Sequence, residues 1–303
     1  MVMQTKVRKS AIWKLSLAFL MSVPLWAAEK HAASGLVLKV DPAHKTLVVS
    51  CNEIPGYMDT MVMPFRVQDA KALQGLQPGT TIDFDLLVDK NTSFVENIRI
   101  RRFESLELDP TQARRLKLME NAIAPGSRPT ALTLGQTVPD FVLSDQSHNR
   151  VALSQFSGKV VTMTFIYTRC PLPDYCFRLS NNLALLQKRF RSRMGSDLIL
   201  LSIVIDPAHD QPDALTNYAH IWKADLKAWH FLTGPLPDIE RLSGEFDMNF
   251  YPDEALLVHS FHTVVIDREG KLAANIEGNN FSAKQLGDLV ETTLSQPNQQ
   301  KGN

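Results

Sequence analysis

The sequence predicts two folded units, a small all-β barrel followed by an α/β layer. Between Ser34 and Phe103, five short apolar runs alternate with polar residues and are separated by turn signals. From Thr137 onward, continuous apolar runs alternate with helical patterns, the texture of βαβ units. The 303-residue length is near twice the roughly 150-residue span of one average domain.

The barrel strands are expected at Leu36 to Val40, Thr46 to Ser50, Val62 to Val67, Thr81 to Leu87 and Phe94 to Ile100. Asp41-Pro42, Pro55-Gly56 and Gln77-Pro78-Gly79 supply the turns between them. Residues 34–103 therefore form the first unit. Residues 104–132 are charged and helix-prone, break at Pro125-Gly126, and read as a helical connector. The second unit covers 133–296. Its buried strands are expected at Val160 to Tyr167, Leu198 to Ile205 and Thr263 to Asp267, and its helices at Leu179 to Arg193, Pro212 to Trp222, Pro237 to Phe246 and Ser282 to Thr293.

Composition removes several function classes. Hydrophobic content of 44% and charged content of 21% are those of an ordinary globular protein. Basic and acidic residues number 32 each, so the basic surplus of a nucleic-acid binder is missing and no nucleic-acid partner is expected. Three cysteines are too few to staple a disulfide scaffold, so they need another explanation.

Lys6, Arg8, Lys9 and Lys14 precede an apolar run from Leu15 to Ala28 that contains Pro24 and ends on small residues. The run is shorter than the roughly 20 residues of a bilayer span. Residues 1–28 read as a secretory signal peptide, the competing reading being an uncleaved anchor that keeps the protein on a membrane. Either way the protein is expected to be periplasmic or otherwise exported, where thiols do not stay reduced by default.

The stretch Thr164 to Cys176 is a buried strand running into a loop that opens a helix. It places Cys170 and Cys176 where a helix N-terminus favours negative charge, with Arg169 as a neighbouring cation. At least one of the thiols should then have a lowered pKa. Thiolates exchange with disulfides or bind soft metals; two cysteines cannot complete an iron–sulfur cluster, which leaves copper or zinc. A structural disulfide between Cys170 and Cys176 fits the same spacing. His259 and His262 stand at the entry to a later strand and, by alternation, should face opposite ways, so at most one joins a given site.

Residues Thr137 to about Leu294 resemble the Sco/SenC family of thioredoxin-fold copper proteins. The resemblance rests on Val138-Pro139-Asp140-Phe141, Gly158-Lys159, Thr164 to Cys170, Ser202 to Pro212 and Trp229 to Gly234. It implies a thioredoxin-like fold, a copper site made by Cys170, Cys176 and His259, and a role in loading the copper site of cytochrome oxidase. His262 falls where the family has no ligand. The family's cysteines are usually separated by three residues; here five intervene, two of them prolines. Asp206, after a central strand, is an expected supporting partner near the site.

In the first unit, Met61 and Met63 project from one face of a strand, with Met58 close by. Methionine there is ordinarily a filler of core gaps, yet thioethers are also soft donors suited to Cu(I). The stretch is similar to the periplasmic CusF-like copper barrels, which are five-stranded and OB-like and carry a Met-x-Met pair. That resemblance implies Met61 and Met63 as ligands, with Cys51 at the family's upstream histidine position. Met58, beside Tyr57, stands where the family has a capping tryptophan. A free surface thiol and a disulfide to another chain are the other readings of Cys51.

These readings converge on an exported copper metallochaperone. The barrel would take Cu(I) on Met61, Met63 and Cys51 and pass it to Cys170, Cys176 and His259, for delivery to a copper-acceptor protein such as a cytochrome c oxidase subunit. An alternative is a thiol-disulfide oxidoreductase that uses Cys170 as nucleophile and Cys176 as resolving thiol to keep a partner's copper-site cysteines reduced. The spacing is not the Cys-x-x-Cys of typical redox enzymes. A peroxide-reducing relative on the same fold would not require His259.

Overall fold

The computed structural model describes residues 29–89, 92–102, 131–253 and 256–296, together with Thr111, Arg114 and Leu118. The expected signal peptide lies outside the described residues, as does nearly all of the expected connector.

The first unit is a closed barrel of five strands: β1 (Glu29–Asp41), β2 (Thr46–Cys51), β3 (Val62–Arg66), β4 (Thr81–Asp89) and β5 (Thr92–Ile100), in the order β1-β2-β3-β5-β4. Each expected strand is present, and β1 begins five residues before Ser34. All neighbours are antiparallel except β3 and β5, whose parallel contact at Arg66 and Phe94 closes the ring. Closure removes the free strand edges. Val37, Leu47, Val49, Phe65, Ile82 and Phe84 fill the interior.

The second unit is a seven-stranded sheet with helices α1 (Arg178–Arg189), α2 (Pro212–Ile221), α3 (Leu236–Gly244) and α4 (Ala283–Leu294). Its strands are β6 (Val142–Asp145), β7 (Arg150–Ala152), β8 (Val160–Ile166), β9 (Leu198–Val204), β10 (Trp229–Thr233), β13 (His262–Ile266) and β14 (Leu272–Glu277), and a separate hairpin is formed by β11 (Phe250–Asp253) and β12 (Leu256–His259). The order β14-β13-β8-β9-β10-β6-β7 puts the parallel pair β8 and β9 at the centre. Both are buried along their whole length, which is why they read as unbroken apolar runs. The expected helices are found within a few residues; α4 starts on a capping box between Ser282 and Gln285. Strands β6, β7, β10 and β14 were not among those expected from the sequence.

The units share a wall. In β1, Val37 points into the barrel while Leu36 and Leu38 join the apolar core of the α/β unit. On β2, the Ser50 hydroxyl donates to Asp288 of α4 at 2.7 Å. The Gln285 amide of α4 donates to the Ser50 carbonyl and to Asn52 Oδ1, both at 3.1 Å. The turn at Gly79 approaches the backbone of Asn275 on β14 so closely that a Cβ there would stand 3.2 Å from its carbonyl oxygen. The barrel thus packs on α4, and its Gly79 turn meets the edge strand β14. Among the described residues no helix is long and apolar enough to cross a membrane.

Candidate metal centre

Strand β8 delivers the chain to Tyr167 at the C-terminal end of the sheet, and the loop 168–172 leads into a short turn, Pro173–Phe177, kinked at Tyr175, before α1. Cys170 lies on the loop, half-buried and packed against the core, and Cys176 lies inside the turn, 1% exposed. All three cysteines of the chain are free thiols in the structure.

The two cysteines are electrostatically unequal. A hydrogen bond from the Cys176 thiol, with smaller help from the Leu172 backbone and the Tyr167 hydroxyl, lowers Cys170 to about 6. Donation to Cys170 and burial push Cys176 well up, so it keeps its proton. A lowered thiol was expected from the sequence, but the cause differs. Arg169 turns away from the sulfurs to pair with Asp206 at 2.7 Å, and Asp206 also holds His209 at 2.9 Å. Asp206 is therefore linked to the cysteine loop through Arg169.

Opposite the cysteines stands His259, 6% exposed. The residue pattern puts His259 and His262 on one strand, but the structure separates them: His259 ends β12, Ser260 and Phe261 make a break, and His262 opens β13. The imidazole Nδ1 of His259 donates to the Ser260 carbonyl at 2.8 Å, which leaves Nε2 as the lone-pair nitrogen, 4.0 Å from Cys176 Sγ. Burial lowers His259 to about 4, so the ring is neutral, the form that ligates metals. His262 points elsewhere, to Asn275 Oδ1 at 2.9 Å.

The donor set fits a soft ion. With bonds of about 2.3 Å to sulfur and about 2.0 Å to nitrogen, the values zinc shows, an ion spans the 4.0 Å gap between Cys176 Sγ and His259 Nε2 at an angle of roughly 135°. A cavity of about 20 Å³, lined by Tyr167, Cys170, Leu172, Tyr175, Leu257, His259 and Phe261, opens beside these donors; that is room for one small particle, a single water needing about 10–15 Å³. Among the described residues no three His, Cys, Asp or Glu side chains already surround a single metal position. The thiols hydrogen-bond each other, and binding would replace their shared proton.

Supporting residues were not legible in the sequence. The Asp210 carboxylate is fully buried and accepts from the Thr168 amide at 3.0 Å and from the Thr168 hydroxyl, anchoring the start of the loop. Asn279, ahead of α4, donates to the Asp174 carbonyl at 2.6 Å and pins the other end. Tyr175 stacks on Phe261, with ring centroids 4.9 Å apart, and makes an apolar wall.

At the barrel end, the Cys51 amide donates to the Met61 carbonyl at 2.8 Å and Val49 pairs with Met63. Residues directly opposite on antiparallel strands share a face, so Cys51, Met61 and Met63 line one side. Met61 is 40% exposed at the rim, Met63 is partly buried, and Cys51 is 1% exposed. Burial pushes the Cys51 thiol up to about 12, so metal binding there must displace a proton. Met58 packs on the barrel core, and Tyr57 stacks on His31 with centroids 3.9 Å apart. His31 on β1 is a barrel-end nitrogen that no motif pointed to.

Comparison with known proteins gives two family matches on one chain. The model described as copper binding periplasmic protein CusF matches residues 30–100, and the SCO1/SenC model matches residues 130–295. The Sco1 protein of Schizosaccharomyces pombe is 26% identical over 160 residues, covering 50% of this chain and 58% of its own, so this chain spans little more than half of that relative. An SCO2-like protein of Rickettsia typhi is 26% identical over 163 residues, 50% of this chain and 74% of its own. Among solved structures, yeast Sco1 with copper bound is 25% identical with a TM-score of 0.46, covering 54% of this chain and 91% of that one. With the family model spanning residues 130–295 of 303, this chain belongs to the SCO1/SenC family and carries a CusF-like barrel ahead of the family's α/β unit.

Proposed function

We propose that the protein is an exported copper metallochaperone that binds Cu(I) at two sulfur-rich sites and gives it to a protein acceptor. The observation that carries this reading is the approach of a neutral, oriented imidazole to a buried sulfur, His259 Nε2 to Cys176 Sγ, beside the thiolate of Cys170. Thiolate and thioether sulfur select Cu(I) over harder ions. Both family matches support copper as the metal, since one is described as copper binding and the other is SCO1/SenC.

In this reading Cys170, Cys176 and His259 form one site, and Met61 and Met63 with Cys51 form the other. The signal-like residues 1–28 and the periplasmic description of the barrel match support export in this reading. The acceptor is proposed to be a cytochrome c oxidase subunit, on the strength of family membership.

Anaerobic Cu(I) titration tests it. Two soft-donor sites give about two equivalents for the reduced protein and about one after His259→Ala or Cys170→Ala. X-ray absorption of the loaded protein should show a mixed sulfur and nitrogen shell. Full binding by His259→Ala removes the imidazole from the site.

One observation favours a second reading, thiol-disulfide exchange. A half-buried thiolate beside a buried, protonated partner is the asymmetry of a nucleophile and a resolving thiol. Cys170 would attack a substrate disulfide and expel one thiolate, and Cys176, losing its proton, would release the second and close the Cys170–Cys176 disulfide. Brisk reduction of insulin disulfides with weak copper binding would favour this activity.

A further inference from the structure

Both sulfur sites attach to the same short piece of chain. Asn279, just before α4, holds the Asp174 carbonyl of the cysteine loop. Gln285, in the first turn of α4, holds the Ser50 carbonyl and Asn52, which flank Cys51. Strand β2 also climbs α4 in one direction. Ser50 is bonded to Asp288 and Asn52 to Gln285, so the chain leaves β2 toward the N-terminus of α4. That N-terminus lies at the end of the sheet where β14 finishes, paired with the start of β13 through Glu277 and His262. The same end carries the cysteine loop after β8 and the break that presents His259. The sulfur-bearing end of the barrel and the cysteine loop therefore lie on one end of the molecule.

The barrel is docked there rather than hung on a tether. Asp288, 7% exposed, is met by Ser50 at 2.7 Å, Arg189 at 2.9 Å and Lys284 at 2.7 Å, so a buried carboxylate is fully partnered only with the barrel in place. Leu36 and Leu38 are buried in the other unit's core. Without the barrel, Asp288 keeps Arg189 and Lys284 but loses the Ser50 hydroxyl, a charge-assisted hydrogen bond that only docking supplies.

We infer that this joint, made by Ser50 and Asn52 with Gln285 and Asp288, holds the two sites as one copper-handling face, and that Cu(I) passes from the barrel to the cysteine loop within a single molecule. The inference rests on the copper reading above and deepens it, by assigning the joint that keeps barrel-to-loop transfer inside one molecule. The ion moves as Cu(I) with no change of oxidation state. The Cys176 thiol releases its proton on taking the ion, and the Cys51 sulfur regains one on losing it.

The test is stopped-flow mixing of the reduced full-length protein with substoichiometric Cu(I)–acetonitrile, following the thiolate-to-copper absorption band. A control mixes a barrel-only chain (Cys170→Ser, Cys176→Ser) preloaded with copper and a loop-only chain (Cys51→Ala, Met61→Leu, Met63→Leu). Sites joined on one chain have an effective concentration on the order of millimolar, so at about 1 µM protein the internal step should outrun exchange between chains by about a thousandfold. The expected result is a wild-type transfer phase whose rate is unchanged over a tenfold range of protein concentration, while the control rate rises in proportion. In Ser50→Ala with Gln285→Ala, the phase should slow about tenfold while both sites still bind copper. A wild-type rate that rises in proportion to concentration overturns the inference. Failure to bind two equivalents at all would instead overturn the copper reading, so the two failures are distinguishable.

Discussion

Cys176 and His259, 83 residues apart in the chain, meet inside the protein with Sγ and Nε2 at 4.0 Å. One comes from a kinked turn after the central strand and the other from the end of a hairpin. The Ser260 carbonyl fixes the ring's tautomer, so the lone pair faces the sulfur before any ion arrives. Such preorganisation cuts the ordering cost of binding.

The thiol pair makes a direct pH prediction. With Cys170 brought down to about 6 by the Cys176 hydrogen bond, its alkylation by iodoacetamide in the metal-free protein should be nearly flat above pH 7. It should fall about tenfold per pH unit below 6, as the thiolate is lost. Cys176→Ala removes the donor, and the midpoint should move up toward the ordinary thiol value. Mass spectrometry of quenched samples assigns the site.

Acid stability follows from the buried histidines. Burial holds His259 at about 4, against 6.5 for the free group, and lowers His262 in the same direction. The unfolded chain binds these protons first, so the stability is fully present above pH 6.5 and is lost as the pH falls toward 4. For His259 alone this is about 3 kcal/mol. Urea midpoints measured from pH 7 to 4.5 should decline, and His259→Phe should flatten part of that slope.

Asp210 is expected to matter without touching metal. Asp210→Ala leaves the Thr168 amide, which it now accepts at 3.0 Å, without its partner at the start of the cysteine loop. Losing a hydrogen bond of this partly buried kind costs about 0.5–1.5 kcal/mol, and loss of such an outer support typically lowers metal affinity about 10–100-fold. Thermal melts and competition with a Cu(I) chelator measure the two effects.

Gly35 tests the barrel. A Cβ there would stand 2.5 Å from the Ser50 carbonyl oxygen and 2.5 Å from Val49 Cγ1, beside Cys51. The backbone atom cannot yield, so Gly35→Ala should part β1 from β2 and cost about 1–3 kcal/mol. A differential scan should show the lowered midpoint, with weaker copper uptake at the barrel end.

The limits of sequence reading are visible in particular residues. Five barrel strands and the central pair β8 and β9 were readable because period-2 and continuous apolar patterns report burial directly. The break at Ser260 and Phe261 was not, because nothing in His259 to Asp267 interrupts a strand-like run. The cause of the low Cys170 pKa was also hidden: Arg169 is adjacent in sequence, yet Asp206 draws it away and Cys176 takes its place.

Residue type and local periodicity were enough to establish the class of each unit and the family to which the second unit belongs, and to nominate the soft donors. Tertiary packing sets which of the nominated side chains meet and in what protonation state. It also decided that the barrel and the α/β unit share a core through Leu36 and Leu38. Those outcomes depend on burial and on contacts between segments far apart in the chain, where desolvation and long-range hydrogen bonds act and local pattern carries no record of them.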